Sequence, residues 1–191
     1  MNIGIFGGTF NPIHSGHAMV VNYLSQSGIF DEIWLMISRL NPLKEKCPEI
    51  SDFRRKKMVS FVAYSFSNVR ISDFELNSPP PSYTIDTLRK LREIFPNDKF
   101  SYIIGSDNWQ IFPQWKENEN IIKEFGVWVY PRLGYDIGTI NDENVKVLTD
   151  CPKFEISSSY IRSLISLDKN ISYLVPDKVN EYIQSHNLYR K

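Results

Sequence analysis

Short apolar runs alternate along the chain with longer stretches whose apolar residues recur at helical spacing. Six runs have strand length: N-I-G-I-F (Asn2 to Phe6), E-I-W-L-M-I (Glu32 to Ile37), N-V-R-I-S (Asn68 to Ser72), K-F-S-Y-I-I-G (Lys99 to Gly105), G-V-W-V-Y (Gly126 to Tyr130) and V-K-V-L (Val145 to Leu148). Between them lie helical stretches. The first runs over A-M-V-V-N-Y-L-S-Q-S-G and closes on Gly28. The second, D-F-R-R-K-K-M-V-S-F-V-A-Y, comes after Ser51, a good N-cap. The third, Tyr83 to Phe95, stops before Pro96. Two more close the chain, one from Ser157 or Ser158 and one after Pro176, which suits a first helical turn.

Strands separated by helix-length segments imply parallel pairing through right-handed crossovers. The expected fold is therefore α/β: a doubly wound, Rossmann-like parallel sheet with helices on both faces and a small C-terminal helical part over about residues 155–191. The whole chain, 1–191, is expected to form one domain. In such sheets ligands bind beyond the carboxyl ends of the strands, where strand order reverses. The turns after the first, second and fourth strands are expected to meet there. The segments Ser38 to Ile50 and Ser72 to Ser82 are long for loops of this fold, and long loops often close over ligands.

Charge changes the picture by what it excludes. The 22 Lys and Arg balance the 22 Asp and Glu, so no basic field draws the chain to nucleic acid or an anionic membrane. Any bound anion must be held by a local cluster. No apolar stretch approaches the roughly 18 residues of a membrane span. The chain opens directly on a strand, so no signal peptide is expected. Cys47 and Cys151 lack partners at metal spacing and read as free thiols of a reducing compartment. A cytoplasmic protein is expected.

The chemistry concentrates in G-G-T-F-N-P-I-H-S-G-H, Gly7 to His17, between the first strand and the first helix. A glycine-rich turn at a helix N-terminus offers unpaired N–H groups and the positive end of the helix dipole, a natural seat for phosphate. His14 and His17 can donate N–H bonds to phosphoryl oxygens as charge builds in a transition state. The turn is neither a G-x-x-x-x-G-K-[ST] loop nor G-x-G-x-x-G, so it is not a Walker loop and argues against a dinucleotide cofactor. A second candidate anion site is E-I-S-S-S-Y-I-R, Glu155 to Arg162. Its serines offer hydroxyls and free amides at a helix start, and Arg162 adds a planar cation one turn on. The densest basic run, Arg54 to Lys57, fans out around a helix axis and is assigned no role. His186, near the end of the last helix, reads as structural.

H-S-G-H after G-G-T-F-N-P-I resembles the H-x-G-H signature of the nucleotidyltransferase superfamily, and I-S-S-S-Y-I-R resembles its distal I-S-S-x-x-[IL]-R stretch. Within that superfamily, S-Y-T-I-D-T-L (Ser82 to Leu88), I-I-G-S-D-N with F-P-Q-W-K (Ile103 to Lys116), and the closing V-P-D-K-V-N-E-Y-I-Q-S-H-N-L-Y resemble the bacterial nicotinate mononucleotide adenylyltransferases. The resemblance spans nearly the whole chain. It implies transfer of the adenylyl group of ATP to nicotinate mononucleotide, in NAD biosynthesis, with Mg²⁺ arriving on ATP and no dedicated metal ligands in the chain.

The same resemblance implies residue roles. His14, His17 and Lys44 would be catalytic on the phosphate side. Gly7, Gly8, Thr9, Phe10, Gly105, Asp107, Ser157, Ser158 and Arg162 would hold ATP. Trp115 would stack on the pyridine ring, the main chain near Thr84 and Lys116 would receive the nicotinate carboxylate, and Arg132 would lie near the bound mononucleotide. Two positions depart from the pattern. Leu43 replaces a frequent histidine, and R-L-G at Arg132 to Gly134 replaces R-P-G. Other acceptors, nicotinamide mononucleotide or phosphopantetheine, would use the same ATP chemistry. A class I aminoacyl-tRNA synthetase fragment would need a K-M-S-K-S partner, which is missing. A non-catalytic nucleotide-binding module would bind ATP without turnover.

Overall fold

The computed structural model describes residues 1–38, 50–79 and 82–190. Six strands, β1 (Asn2–Gly8), β2 (Glu32–Ile37), β3 (Val69–Ser72), β4 (Lys99–Gly105), β5 (Val127–Tyr130) and β6 (Val145–Val147), form one sheet in the order β3-β2-β1-β4-β5-β6. Every pairing is parallel. The sheet is the doubly wound, Rossmann-like arrangement expected from the alternation. Strand order reverses between β1 and β4, which places the crevice beyond Gly8 and Gly105.

Seven α-helices are described: α1 (Ser15–Gln26), α2 (Asp52–Ala63), α3 (Thr84–Ile94), α4 (Ser106–Ile111), α5 (Asn118–Phe125), α6 (Ser158–Ser166) and α7 (Asp177–Ser185). Two hydrophobic clusters sandwich the sheet. On one face Phe6, Leu35 and Ile103 pack with Val20, Leu24, Met58, Ile161 and Ile183, from α1, α2, α6 and α7. On the other, Ile3, Ile5, Tyr102 and Val129 pack with Ile85, Leu88, Ile121 and Phe125, from α3 and α5. Side chains alternate across the pleat, so each buried strand serves both layers. The C-terminal helices thus complete the α1–α2 layer. The Tyr189 hydroxyl donates to Asn11 Oδ1 at 2.8 Å and ties the chain's end to the first turn.

The main differences from the sequence pattern are two boundaries and two helices, each with a local reason. β1 runs to Gly8, because Gly7 and Gly8 pair with Met36 and Ile37 of β2. α1 begins at Ser15, ahead of its apolar stripe, because His14 serves as the N-cap. The helices α4 and α5 have no counterpart in the pattern: α4 is only six residues long without a side-chain cap, while α5 starts polar, after a left-handed Glu117 at φ 51°, and no side chain caps it. Only Ile121 and Phe125, one turn apart, bury it. Cys151 is a buried free thiol whose pKa burial pushes up to about 11, while Cys47 lies outside the described residues. No described helix is long and apolar enough to cross a membrane.

Candidate active site

The turn after β1 sets the two histidines face to face. His14 and His17 lie ring on ring, with centroids 3.6 Å apart and planes inclined by 25°. The His17 backbone N–H donates to His14 Nδ1, and the His14 N–H donates to His17 Nδ1, both at 3.3 Å. This is a capping box built from imidazoles, filling the places that Ser or Thr and Glu usually take. Gly16 makes room for it, since a Cβ there would stand 3.1 Å from His14 Nδ1.

Both rings are held neutral. Burial, reinforced by the Arg132 cation, lowers the His14 pKa to about 3. Burial, then His14 and Arg132, puts His17 well below its ordinary value. A neutral imidazole whose Nδ1 accepts an N–H carries its proton on Nε2. The pair therefore offers two Nε2–H donors. Phe10, left-handed at φ 46°, sets its ring edge against His17 at 5.1 Å and against Phe6 at 5.8 Å.

The start of α6 folds over this turn. Ser157 caps the helix by accepting from the Tyr160 N–H at 3.2 Å. The Ser158 hydroxyl donates to the Pro12 carbonyl at 2.8 Å, and Arg162 Nη1 donates to the Asn11 carbonyl at 2.8 Å. Two segments almost 150 residues apart in sequence are thus joined at one crevice. Asp107 and Arg132 approach from β4 and β5. Arg132 Nη1 donates to Asp107 Oδ2 at 2.6 Å, its Nη2 to the Ile156 carbonyl at 3.0 Å, and its backbone N–H to Ser106 Oγ at 2.9 Å. Asp107 Oδ1 is buried without a partner among the described residues. A cleft lined by His14, His17, Val20, Tyr130, Arg132, Phe154 and Ile156 opens between these groups.

Thr84, Trp115 and Lys116 assemble on the other side of β1. Thr84 opens α3. The half-buried Trp115 ring lies 5.9 Å from Tyr102 and 5.3 Å from Phe112, and its Nε1 is buried without a partner among the described residues. Lys116 pairs with Asp86 at 2.8 Å and sits 4.8 Å above the Tyr83 ring, which clasps its segment to the start of α3. Tyr102 joins the two halves of the site. A Cβ on Gly7 would collide with its hydroxyl, so one reason for glycine there is the protein's own phenol.

Three residues matter here that the sequence pattern does not single out. Arg55, in the basic run assigned no role, is wholly buried and donates to the Thr9 and Ser38 carbonyls. Its one signal is its place a turn after the Ser51 cap, on the face of α2 that Met58, Val59 and Val62 bury. Tyr102 reads in sequence only as a strand residue. Glu75, inside the loop between β3 and α3, is buried, and that burial pushes its carboxyl up to about 7 although Thr87 Oγ1 donates to it at 3.3 Å. No pattern marks it. Lys44 and Leu43 lie outside the described residues.

Paired neutral donors beside a helix start, at the switch point of a parallel sheet, define the site of a nucleotidyltransferase. The chain matches the family model described as cytidylyltransferase-like over residues 5–164. It is 35% identical to the nicotinate-nucleotide adenylyltransferase of Bacillus subtilis, with 98% of this chain and 97% of that protein covered. A Bacteroides thetaiotaomicron protein described as a probable nicotinate-nucleotide adenylyltransferase is 40% identical over 97% of this chain and 92% of its own. In structure, the chain is similar to the Plasmodium falciparum nicotinic acid mononucleotide adenylyltransferase solved with NaAD. The TM-score is 0.80 at 25% identity, covering 98% of this chain and 97% of that one. The chain belongs to the nicotinate-nucleotide adenylyltransferase family.

Proposed function

We infer that the chain transfers the adenylyl group of ATP to nicotinate mononucleotide. An oxygen of the acceptor's 5′-phosphate attacks the α-phosphorus, the bond to the β-phosphate oxygen breaks, and pyrophosphate leaves with the electron pair. The product is nicotinate adenine dinucleotide. A phosphate monoester is already anionic near neutral pH, its second pKa being about 6, so no general base is required. That agrees with histidines held as neutral donors rather than bases. Catalysis then consists of alignment and of charge stabilisation on the α-phosphoryl group and the departing pyrophosphate.

The observation that carries this reading is the stacked histidine pair, with both Nδ1 atoms occupied by backbone N–H groups. We assign the first-turn amides of α6 and the Arg162 guanidinium to the triphosphate. We assign Trp115 to the pyridine ring and the main chain at Thr84 and Lys116 to its carboxylate, which an uncharged amide would match less well. Lys44 is assigned to the phosphates from its motif.

Among the described residues no cluster of three acidic, His or Cys side chains stands ready for a metal. Asp107 Oδ1 is one buried carboxylate oxygen without a partner among the described residues. We assign it to an Mg²⁺ that would arrive on ATP and keep several waters. When bound, Mg²⁺ neutralises charge on the triphosphate. The reading is tested by pyrophosphate release with Mg-ATP and, side by side, nicotinate mononucleotide, nicotinamide mononucleotide and phosphopantetheine. Preferred turnover of either of the last two would overturn the acceptor assignment, and ATP binding without turnover would overturn the reaction.

A further inference from the structure

Arg55 lies in the first turn of α2, and none of its side chain reaches solvent. Its Nη1 donates to the Thr9 carbonyl at 2.6 Å and to the Ser38 carbonyl at 2.7 Å, while Nη2 pairs with Asp52 at 2.6 Å. The Ser38 N–H in turn donates to the Gly8 carbonyl at 3.0 Å. One guanidinium therefore closes the carboxyl ends of two adjacent strands at the switch point. Burying a charge this completely is costly, the more so because Arg55 Nε is buried without a partner among the described residues, and an apolar side chain would fill the space without that cost. The planar Arg55 guanidinium reaches both carbonyls from Nη1 and the carboxylate from Nη2, in a fixed geometry that a flexible ammonium does not reproduce.

The residue after Thr9 is the one this fork holds in place. Phe10 adopts a left-handed backbone at φ 46°, a region that side chains other than glycine avoid and that persists only where surroundings enforce it. Its buried ring forms the wall against His17 at 5.1 Å. A continuous line of contact thus runs from Arg55 through the Thr9 carbonyl and the Phe10 ring to the His17 imidazole.

We propose that Arg55 is a positioning residue for adenylyl transfer, fixing through Thr9 and Phe10 the angle at which His17 presents Nε2–H to the phosphates. The proposal rests on the reading of this site as an adenylyltransferase. It makes one member of the basic run of α2, Arg55, part of the catalytic frame without contact with substrate.

The test is R55K, which keeps the charge but loses the fork, alongside R55M, which keeps the length but has no donor. Folded fraction, steady-state constants and the pH titration of the His17 Cε1 resonance are measured on each. The expected result is a folded R55K with kcat lower by about 10- to 100-fold, as misplacement of a catalytic group produces. The KM for nicotinate mononucleotide should stay within about twofold and the His17 resonance should be displaced. A folded R55K with wild-type kcat and an unmoved resonance overturns the proposal, as does a loss of rate that matches the unfolded fraction. If neither variant folds, F10L, which removes the intervening ring and leaves Arg55 in place, must reproduce the kcat loss; wild-type kcat in F10L overturns the proposal. Wild-type enzyme without turnover would instead overturn the adenylyltransferase reading, and the displacement of the His17 resonance in R55K would still decide the positioning.

Discussion

His14 and His17 cap each other: each Nδ1 accepts the other residue's backbone N–H at 3.3 Å, and the rings stack with centroids 3.6 Å apart. The same bonds that start α1 fix the tautomer of both catalytic candidates. Structure and chemistry are therefore coupled at this pair, and substitution there tests both together. Removing one preorganised donor from a transition state typically costs about 10²–10³ in rate. His17→Ala is expected to lower kcat for pyrophosphate release by that amount. His14→Ala should do the same and also lose roughly 1 kcal/mol of stability with its cap. Undiminished release by either folded variant would remove the pair from the mechanism.

Arg132 bears on the same pair from a distance. Its cation contributes to the low pKa of both histidines, after burial in the case of His14 and after burial and His14 in the case of His17. It also pairs with Asp107 Oδ2 at 2.6 Å. Arg132→Met is expected to raise the His14 titration point above about 3 while burial keeps it below 6.5. It should also destabilise the fold by about 1–3 kcal/mol through the unpaired carboxylate. Asp107→Asn on that background should recover part of the loss. Imidazole NMR titration and denaturant unfolding read the two effects separately, and an unshifted His14 would contradict the first.

Legibility in the sequence tracks the range of the interaction. The strand runs and the α2, α3 and α7 helices are plain because period and caps are local. The H-x-G-H turn and the serine start of α6 are each visible, yet the bonds from Ser158 to Pro12 and from Arg162 to Asn11 join positions no local pattern connects. The start of α1 is hidden because histidine is not a usual capping residue. Arg55 is easily missed because four consecutive basic residues look alike, and only packing distinguishes the one facing the strand ends. Glu75 is silent because burial of a loop carboxyl leaves no period.

Gly7 and Tyr102 provide a packing test. A Cβ at Gly7 would collide with the Tyr102 hydroxyl and stand 2.9 Å from the ring carbon bearing it. Gly7→Ala is therefore expected to cost about 1–3 kcal/mol by overpacking at the switch point. Tyr102→Phe removes the colliding oxygen, so the double variant should regain much of the loss. A double-mutant cycle in urea measures this. Additive effects would show that the clash is relieved elsewhere.

Glu75 gives a pH signature of definite sign. Its carboxyl is raised from 4.5 to about 7, chiefly by burial, so the folded chain holds a proton that the unfolded chain has lost. The stability it contributes is fully present below pH 4.5 and is lost as pH rises through 7. His14 acts oppositely, since its lowered value makes stability full above pH 6.5 and lost as pH falls toward about 3. The two slopes offset each other where their windows overlap. Glu75→Gln removes one and keeps an uncharged partner for Thr87. Its unfolding free energy should match wild type near pH 4 and exceed it near pH 8 by about 3 kcal/mol, at about 1.4 kcal/mol per pKa unit. Parallel stability curves for the two proteins would rule this out.

The assignment of Trp115 to the acceptor ring can be tested apart from the ATP side. Its indole packs against Tyr102 and Phe112, while Nε1 has no partner among the described residues. Stacking of an aromatic side chain on a heteroaromatic base is worth about 1–3 kcal/mol, which corresponds to roughly a 5- to 150-fold change in affinity. Trp115→Ala is expected to raise KM for nicotinate mononucleotide within that range and to leave KM for ATP nearly unchanged. Trp115→Phe keeps a stacking face, so its acceptor KM should stay within a few-fold of wild type. Steady-state kinetics with each substrate varied in turn decide the matter. An equal rise in both KM values would place Trp115 in the general packing of the site and not against the acceptor ring.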